Sequence, residues 1–221
     1  MFDLLPFRPR HLPAEILDSL PAEHPAAIAS RRDLRVFNHV LGNARWIASQ
    51  VSRHTRADTP VLELGAGDGE LGCAVHRRHA RWDGLDRAPR PASWPSDARW
   101  HRCDVNTFAG WAEYPVIAAN LFFHHFNNDD LLALGACISR HAQMLVIGDL
   151  RRGRGHQLLF ALFARLVRAH SVSLHDGRLS IGAGFRHDEL PDRLGLHRDQ
   201  WEWTVRTTPL GAYRLLAHRR P

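Results

Sequence analysis

The chain has 221 residues, 44% of them hydrophobic, which suits one folded domain with a real core and excludes a disordered polymer. Its net charge of +6 and pI near 10.4 raise nucleic acid as a partner, yet all 29 basic residues are arginine and none is lysine. That pattern reads as a compositional bias, not a phosphate-binding tract, because the densest clusters, "RRGRG" and "AHRRP", are short; it also excludes any lysine nucleophile.

No basic-apolar-small leader pattern opens the sequence, and no apolar run approaches the roughly 18 residues a bilayer span requires, so a cytoplasmic location is expected. Cys73, Cys103 and Cys137 lack pairing or metal spacing and are expected to be buried free thiols.

Residues 1–57 read as an N-terminal helical cap. "LPAEILDSL" (Leu12–Leu20) is a short amphipathic helix candidate, and a longer helix is expected from about Ser30, with Ser30 as its cap and Asp33 three positions on. Leu34, Phe37, Leu41, Ile47 and Val51 approximate helical spacing, with Gly42 marking a break. From residue 58 to 221 short apolar runs alternate with helical stretches. Strands are expected at Val61–Leu64, "WDGLD", "ARWHRCD", "PVIAANLFF" and "QMLVIGD", and helices from about Glu70, from Asp129 and through "HQLLFALFARLV". This alternation argues for a mostly parallel sheet with helices on both faces. "WEWTVRTTPLGAYRLLAHR" breaks the rhythm as two strands about a Pro-Leu-Gly turn, an antiparallel hairpin at the end of the sheet.

Between the first strand and its helix lies "VLELGAGDGELG". A dinucleotide fingerprint needs glycine at position 70, where Glu70 stands; the spacing present is G-x-G-x-G, Gly65, Gly67 and Gly69. Glycines there let backbone approach a ligand bound beyond the carboxyl ends of the strands. Acids flank the turn, Glu63 before it and Asp68 within it; they would repel a pyrophosphate and suit a ligand with positive charge.

These residues resemble the first motif of the class I S-adenosylmethionine-dependent methyltransferases, an acid, one spacer, then G-x-G-x-G, here "ELGAGDG". The resemblance is carried from Val61 to Leu150 and implies a Rossmann-like α/β fold, a seven-stranded, mostly parallel sheet with a C-terminal antiparallel hairpin. It implies S-adenosyl-L-methionine as cofactor, S-adenosyl-L-homocysteine as product, and a cofactor site of Glu63, Gly65, Ala66, Gly67, Asp86, Arg87, Asp104, Val105 and Asn120. In that assignment Asp86 of "GLDRAP" accepts from the ribose hydroxyls, Asp104 and Val105 of "CDVNTF" hold the adenine, and Asn120 of "AANLFFHHF" lies beside the methionine portion. Read without the resemblance, Asp104 and Asn120 are equally caps of local turns.

Methyl transfer is an in-line displacement for which the protein must align the acceptor and exclude water. For an oxygen acceptor, His124 or His125 of "FFHHF" is the candidate base, with the sequence giving no choice between them. Adjacent histidines are poorly placed for one ion and no carboxylate cluster accompanies them, so no metal is expected. Residues 168–185, with His175, Asp176 and Gly182, exceed an ordinary connection and are expected to form a lid. Phe37, Asn38 and His39 are expected to cover the cofactor, and Phe122, Phe123, Phe160 and Phe163 to form an aromatic wall.

Methyltransferases of exocyclic base amines carry an (Asn/Asp)-Pro-Pro-aromatic fourth motif, and "NLFF" replaces it here. That argues against N-methylation of nucleic-acid bases. The short helical preface and the "HHF" fourth motif are similar to small-molecule methyltransferases of the ubiquinone/menaquinone and natural-product type, a resemblance that implies a small, apolar or aromatic, polyketide-like acceptor, at oxygen first and carbon next. An RNA methyltransferase and an inactive cofactor-binding partner protein are the alternatives; the oligomeric state is left open.

Overall fold

The computed structural model describes residues 10–21, 23–76, 78–79 and 81–221. Among them, seven strands form one sheet: β1 (Val61–Leu64), β2 (Trp82–Asp86), β3 (Trp100–Arg102), β4 (Val116–Asn120), β5 (Met144–Leu150), β6 (Trp201–Thr207) and β7 (Ala212–Arg219), in the order β3-β2-β1-β4-β5-β7-β6. β1 to β5 are parallel, and β7 inserts antiparallel between β5 and β6. The expected hairpin is present, turning through Pro209, Leu210 and Gly211, where Gly211 takes a φ of 91°.

The central strands read as continuous apolar runs because both faces are covered. Leu62, Leu64, Ile117, Ala119, Leu145 and Ile147 point to one face, against Leu131, Leu134 and Ile138 of α5 (Asn128–His141). Val61, Val116, Ala118, Met144 and Val146 point to the other, against Ile47 and Val51 of α3 (Asn43–His54) and Leu71 and Val75 of α4 (Glu70–Val75). Strand period two thus supplies two dry layers from one sequence run. The strands' carboxyl ends are left for the remaining helices to cover.

That cover comes from α1 (Ile16–Ser19), α2 (Pro25–Leu41), α6 (Arg154–Leu166) and α7 (Ser171–Ala183), in which α7 contacts the other three. A short α8 (Glu189–Arg193) packs on α5. The structure departs from four of the expectations. The long helix starts at Pro25, not Ser30: Pro25 occupies the first turn, where no amide hydrogen is needed, and the His24 ring accepts from Ala26 N at 3.2 Å. Ser30 and Asp33 lie buried within it, and Asp33 Oδ2 instead accepts from His170 N and Ser173 Oγ, both at 2.7 Å. A capping-box spacing was read where the acid serves another helix. Gly42 does break the run, closing α2 in the left-handed region at φ 67°.

Residues 168–185 are not a lid loop but mostly α7, capped by the His170 ring accepting from Val172 N at 3.2 Å. Asp176, expected in that loop, is buried and its two oxygens accept from Ile16 N (3.0 Å) and Leu17 N (2.8 Å), so α7 clamps the N-terminal strap. The Leu12–Leu20 candidate is a single turn, Ile16–Ser19. The cysteines are free, but Cys73 and Cys103 are only half-buried and Cys137 is exposed.

Asp33 therefore anchors α2 to the start of α7 through two donors. Replacing Asp33 with Ala should cost about 1–3 kcal/mol of stability, read as a lower urea midpoint, because it strands a backbone N–H and a hydroxyl in a buried place. An unchanged midpoint would contradict the anchor.

Candidate active site

The glycine turn is shaped by two demands. Gly65, Gly67 and Gly69 all have positive φ (65°, 51° and 75°), and a Cβ on Gly65 would collide with the Phe122 ring. The turn is tied to β2 by Gly65 N and Ala66 N, both donating to Leu85 O. Asp86, at the end of β2, accepts from Gly67 N and from Ala88 N, each at 2.8 Å, so its carboxylate is held beside the glycine turn.

Glu63 sits beneath this turn, 3% exposed, and lines neither cavity described below. Its Oε2 accepts from Trp82 Nε1 at 2.7 Å. Burial drives its carboxyl up to about 8, against the opposing hydrogen bonds from Trp82 and the Gly72 backbone. Glu63 thus ties β1, β2 and α4 together under the glycines.

A cleft of about 650 Å³ opens beyond the strand ends, with Gly65, Asp86, Arg87, Asp104 and Val105 in its wall and the strap Leu12–Glu15 over it. Asp104 caps a short 3-10 turn by accepting from Asn106 N at 2.9 Å, and Arg87 stands 3.9 Å from it. Ala66 and Gly67 lie outside the cleft's wall. Of the expected aromatic wall, Phe122 lines this cleft and Phe123 is fully buried in the core.

A second cavity of about 390 Å³ lies alongside, walled mainly by Leu34, Phe37, Phe160, Phe163 and Ile181. Asn38 lines it and His39 does not; Gly177 and Ser180 of α7 contribute where His175 and Gly182 were expected. Asn120 also faces this cavity, and its side-chain oxygen is buried with no hydrogen-bond partner among the described residues. The chain then turns through Leu121 at φ 54°, a conformation costly for a leucine that is held by Leu121 N donating to Gly148 O at 2.7 Å.

The two cavities share four lining residues: Glu15, Leu121, His124 and His125. His124 is 4% exposed, and its Nδ1 lies 2.7 Å from Oδ1 of Asp149, which is fully buried at the end of β5. Burial opposes the charged form of His124, but the charge and hydrogen bond of Asp149, with Glu15 adding to them, raise it above the ordinary imidazole value. The His125 ring lies 4.1 Å away and is pushed down to about 3, first by the charge on His124 and then by burial. The pair therefore divides: one imidazole made more basic than usual and one made a far weaker base.

Sequence reasoning missed three members of this cluster. Asp149 ends an apolar strand, "VIGD", a signal that was available and unused. Glu15 and Arg10 reach the site from about 110 residues away in sequence. Glu15 accepts from the Ser180 hydroxyl and offers a carboxylate oxygen within 4.8 Å of the histidine nitrogens, a partner the linear spacing of the histidines did not contain. Arg10 donates to Ala183 O (2.6 Å), His124 O (2.9 Å) and Phe123 O (3.3 Å), and burial lowers it to about 10.

Replacing Glu63 with Gln should keep the acceptor for Trp82 while removing the titration. The wild type holds its proton more tightly folded than unfolded, so its stability falls relative to the variant as pH rises from about 4.5 to about 8. Denaturant midpoints of both proteins across that window should diverge in favour of Gln; parallel curves would refute the buried neutral acid.

No protein-family model matches the chain, and no curated protein does. Solved structures do. The plantazolicin methyltransferase BpumL in complex with SAH is similar over 93% of both chains, at 13% identity and a TM-score of 0.71. The magnesium protoporphyrin IX methyltransferase ChlM from Synechocystis PCC 6803 with bound SAM matches 87% of this chain and 84% of its own, at 12% identity and a TM-score of 0.54. The Burkholderia thailandensis 1,6-didemethyltoxoflavin-N1-methyltransferase, with its substrate and S-adenosylhomocysteine bound, matches 91% of both chains at 16% identity and a TM-score of 0.54. Sheet order, hairpin and these likenesses together establish the class I, Rossmann-like methyltransferase fold for this chain.

Proposed function

We propose that the protein is an S-adenosylmethionine-dependent methyltransferase acting on a small, lipophilic acceptor, most readily at oxygen. One observation carries the reading: a polar cleft at the glycine turn and an apolar cavity beside it meet at Glu15, Leu121, His124 and His125. Two ligands that must touch at one point need such a junction. The three structural neighbours named above are methyltransferases of small or peptide-derived molecules, in keeping with this.

The residues present fit the cofactor. Asp86 would accept from the ribose hydroxyls, Asp104 and Val105 would hold the adenine, and the Gly65–Gly67 turn would give close approach, with Glu63 and Ala66 supporting that turn from behind. Arg87 would stand at the rim beside Asp104. The unpartnered oxygen of Asn120, in the wall of the second cavity next to the shared Leu121, would accept from the ammonium if the methionine portion reaches through the junction. When bound, the cofactor supplies an electrophilic methyl group. The Leu, Phe and Ile walls of the second cavity would hold the acceptor's apolar body and exclude water.

Asp149 fixes His124 by its Nδ1, leaving Nε2 to take the acceptor's proton as the new bond forms. His125, held neutral, is too weak a base for that task and serves as a wall of the junction. The apolar acceptor cavity favours a small molecule over RNA, because among the described residues no arginine lines it to meet a phosphate.

Calorimetry should detect S-adenosylmethionine and S-adenosylhomocysteine binding but not NADH; binding of none, or of NADH alone, sinks the proposal. Asp86→Ala should weaken that binding by about 10- to 100-fold, the loss of hydrogen bonds to a charged group. Unaltered affinity would contradict the ribose assignment.

With an oxygen acceptor, His124→Ala should lower kcat by about 10²–10⁴ and leave cofactor affinity nearly unchanged. Because the base must be unprotonated, kcat/KM should rise with pH through a value above the ordinary 6.5 of histidine, and Asp149→Asn should move that limb to lower pH. Normal turnover in the His124 variant would remove the base from the mechanism.

A further inference from the structure

Helix α6 has two apolar sides, and the cavity needs only one of them. Inward, Leu159, Phe160 and Phe163 line the acceptor cavity. Outward, Leu158, Leu162 and Leu166 are 60%, 56% and 80% exposed, a stripe at i, i+4 and i+8. At 100° per residue, Leu166 and Leu159 are neighbours on the helix circumference, so the stripe runs without interruption into the cavity wall. The remaining exposed residues of the helix are Arg154 and Arg165, and Arg168 is exposed just beyond its end. From Leu150 to His175 the chain carries five arginines and no acid.

The rim of the cavity shares this character. Leu34, Val40 and Leu210 line the cavity and are also 36%, 38% and 51% exposed. A soluble acceptor would gain nothing from greasy side chains held in water around the entrance.

We propose that this face docks on an anionic lipid surface, the leucine stripe entering the headgroup layer and the arginines pairing with lipid phosphates, so that the lipophilic acceptor enters its cavity from the bilayer. The inference rests on the acceptor reading given above for the same cavity. Exposed leucines flanked by arginine are the pattern of an interfacial helix face, for which apolar insertion and attraction to anionic headgroups act together. A second copy of this chain fits less well. An isologous contact would set the arginines of one stripe against those of the other, with no acid in the segment to separate them.

The test is co-flotation of the purified full chain with vesicles of phosphatidylcholine alone and of phosphatidylcholine with phosphatidylglycerol. Binding is expected only to the anionic vesicles and should be lost at high salt. Changing Arg154, Arg165 and Arg168 to Gln should weaken it by roughly 100-fold, three charges near the surface. Changing Leu158, Leu162 and Leu166 to Gln should weaken it by about tenfold or more. Calorimetric cofactor binding, measured on every variant, checks folding and separates the two readings: vesicle binding without cofactor binding would leave the docking face and remove the methyltransferase. No flotation of the wild type, flotation insensitive to the arginine changes, or sedimentation showing a dimer that the leucine changes dissolve would each overturn the proposal.

Discussion

The carboxylate of Asp149 is the constraint on which the site depends. It is fully buried, and a charge in that position is tolerable only when its lone pairs are filled. Four donors fill them: Leu150 N at 2.8 Å and His124 Nδ1 at 2.7 Å on one oxygen, Phe123 N at 3.0 Å and His124 N at 3.3 Å on the other. The result ties the end of β5 to the turn after β4. It fixes both the backbone path of "FFHHF" and the ring of His124. The left-handed Leu121 immediately upstream is kept in place by the same crossing, through its bond to Gly148 O.

Polar anchors play the matching part in the N-terminal strap. Arg10 reaches three carbonyls, those of Ala183, Phe123 and His124, and its guanidinium lies 4.8 Å over the Phe185 ring. Asp176 takes two strap amides, and Ser180 holds Glu15. The strap thereby lies across both cavities, held by these polar bonds. Segments fastened this way open at lower free energy than core elements, which suits a part that lies across a ligand's entrance.

What was legible in the sequence follows from range. The five parallel strands, the glycine turn and the hairpin are written in runs of a few residues, where apolar character and turn chemistry act on near neighbours. Asp86 was placed correctly at the end of β2 because strand length and sheet topology are nearly local. α2 and α7 were misread because Ser30, Asp33, His175 and Asp176 look like caps and loop polarity. Folded, Asp176 is a buried acceptor for the amides of Ile16 and Leu17, 160 and 159 residues away, and Asp33 for the amide of His170 and the hydroxyl of Ser173, 137 and 140 residues away. Composition cannot announce a polar group whose partner is that remote. Glu15 and Arg10 were invisible for the same reason, whereas Asp149 was a missed signal: an acid ending a buried strand needs partners, and the nearest turn carried two histidines.

Two adjacent histidines are not a redundant pair once their surroundings differ. His124 lies between the carboxylates of Asp149 and Glu15 and is held in its charged form more firmly than a free imidazole. That charge, 4.1 Å from the neighbouring ring between centroids, suppresses protonation of His125. A junction facing a sulfonium on one side and an acceptor on the other has reason to keep one ring neutral, since a second positive charge would repel the cofactor. Under the proposed function the carboxylate of Glu15 offsets the remaining charge. Arg10 works in the opposite sense, its charge lowering both imidazoles while its Nε and Nη2 donate to backbone carbonyls. The local balance then favours a cationic cofactor approaching from the polar cleft and a neutral, apolar acceptor approaching from the other side.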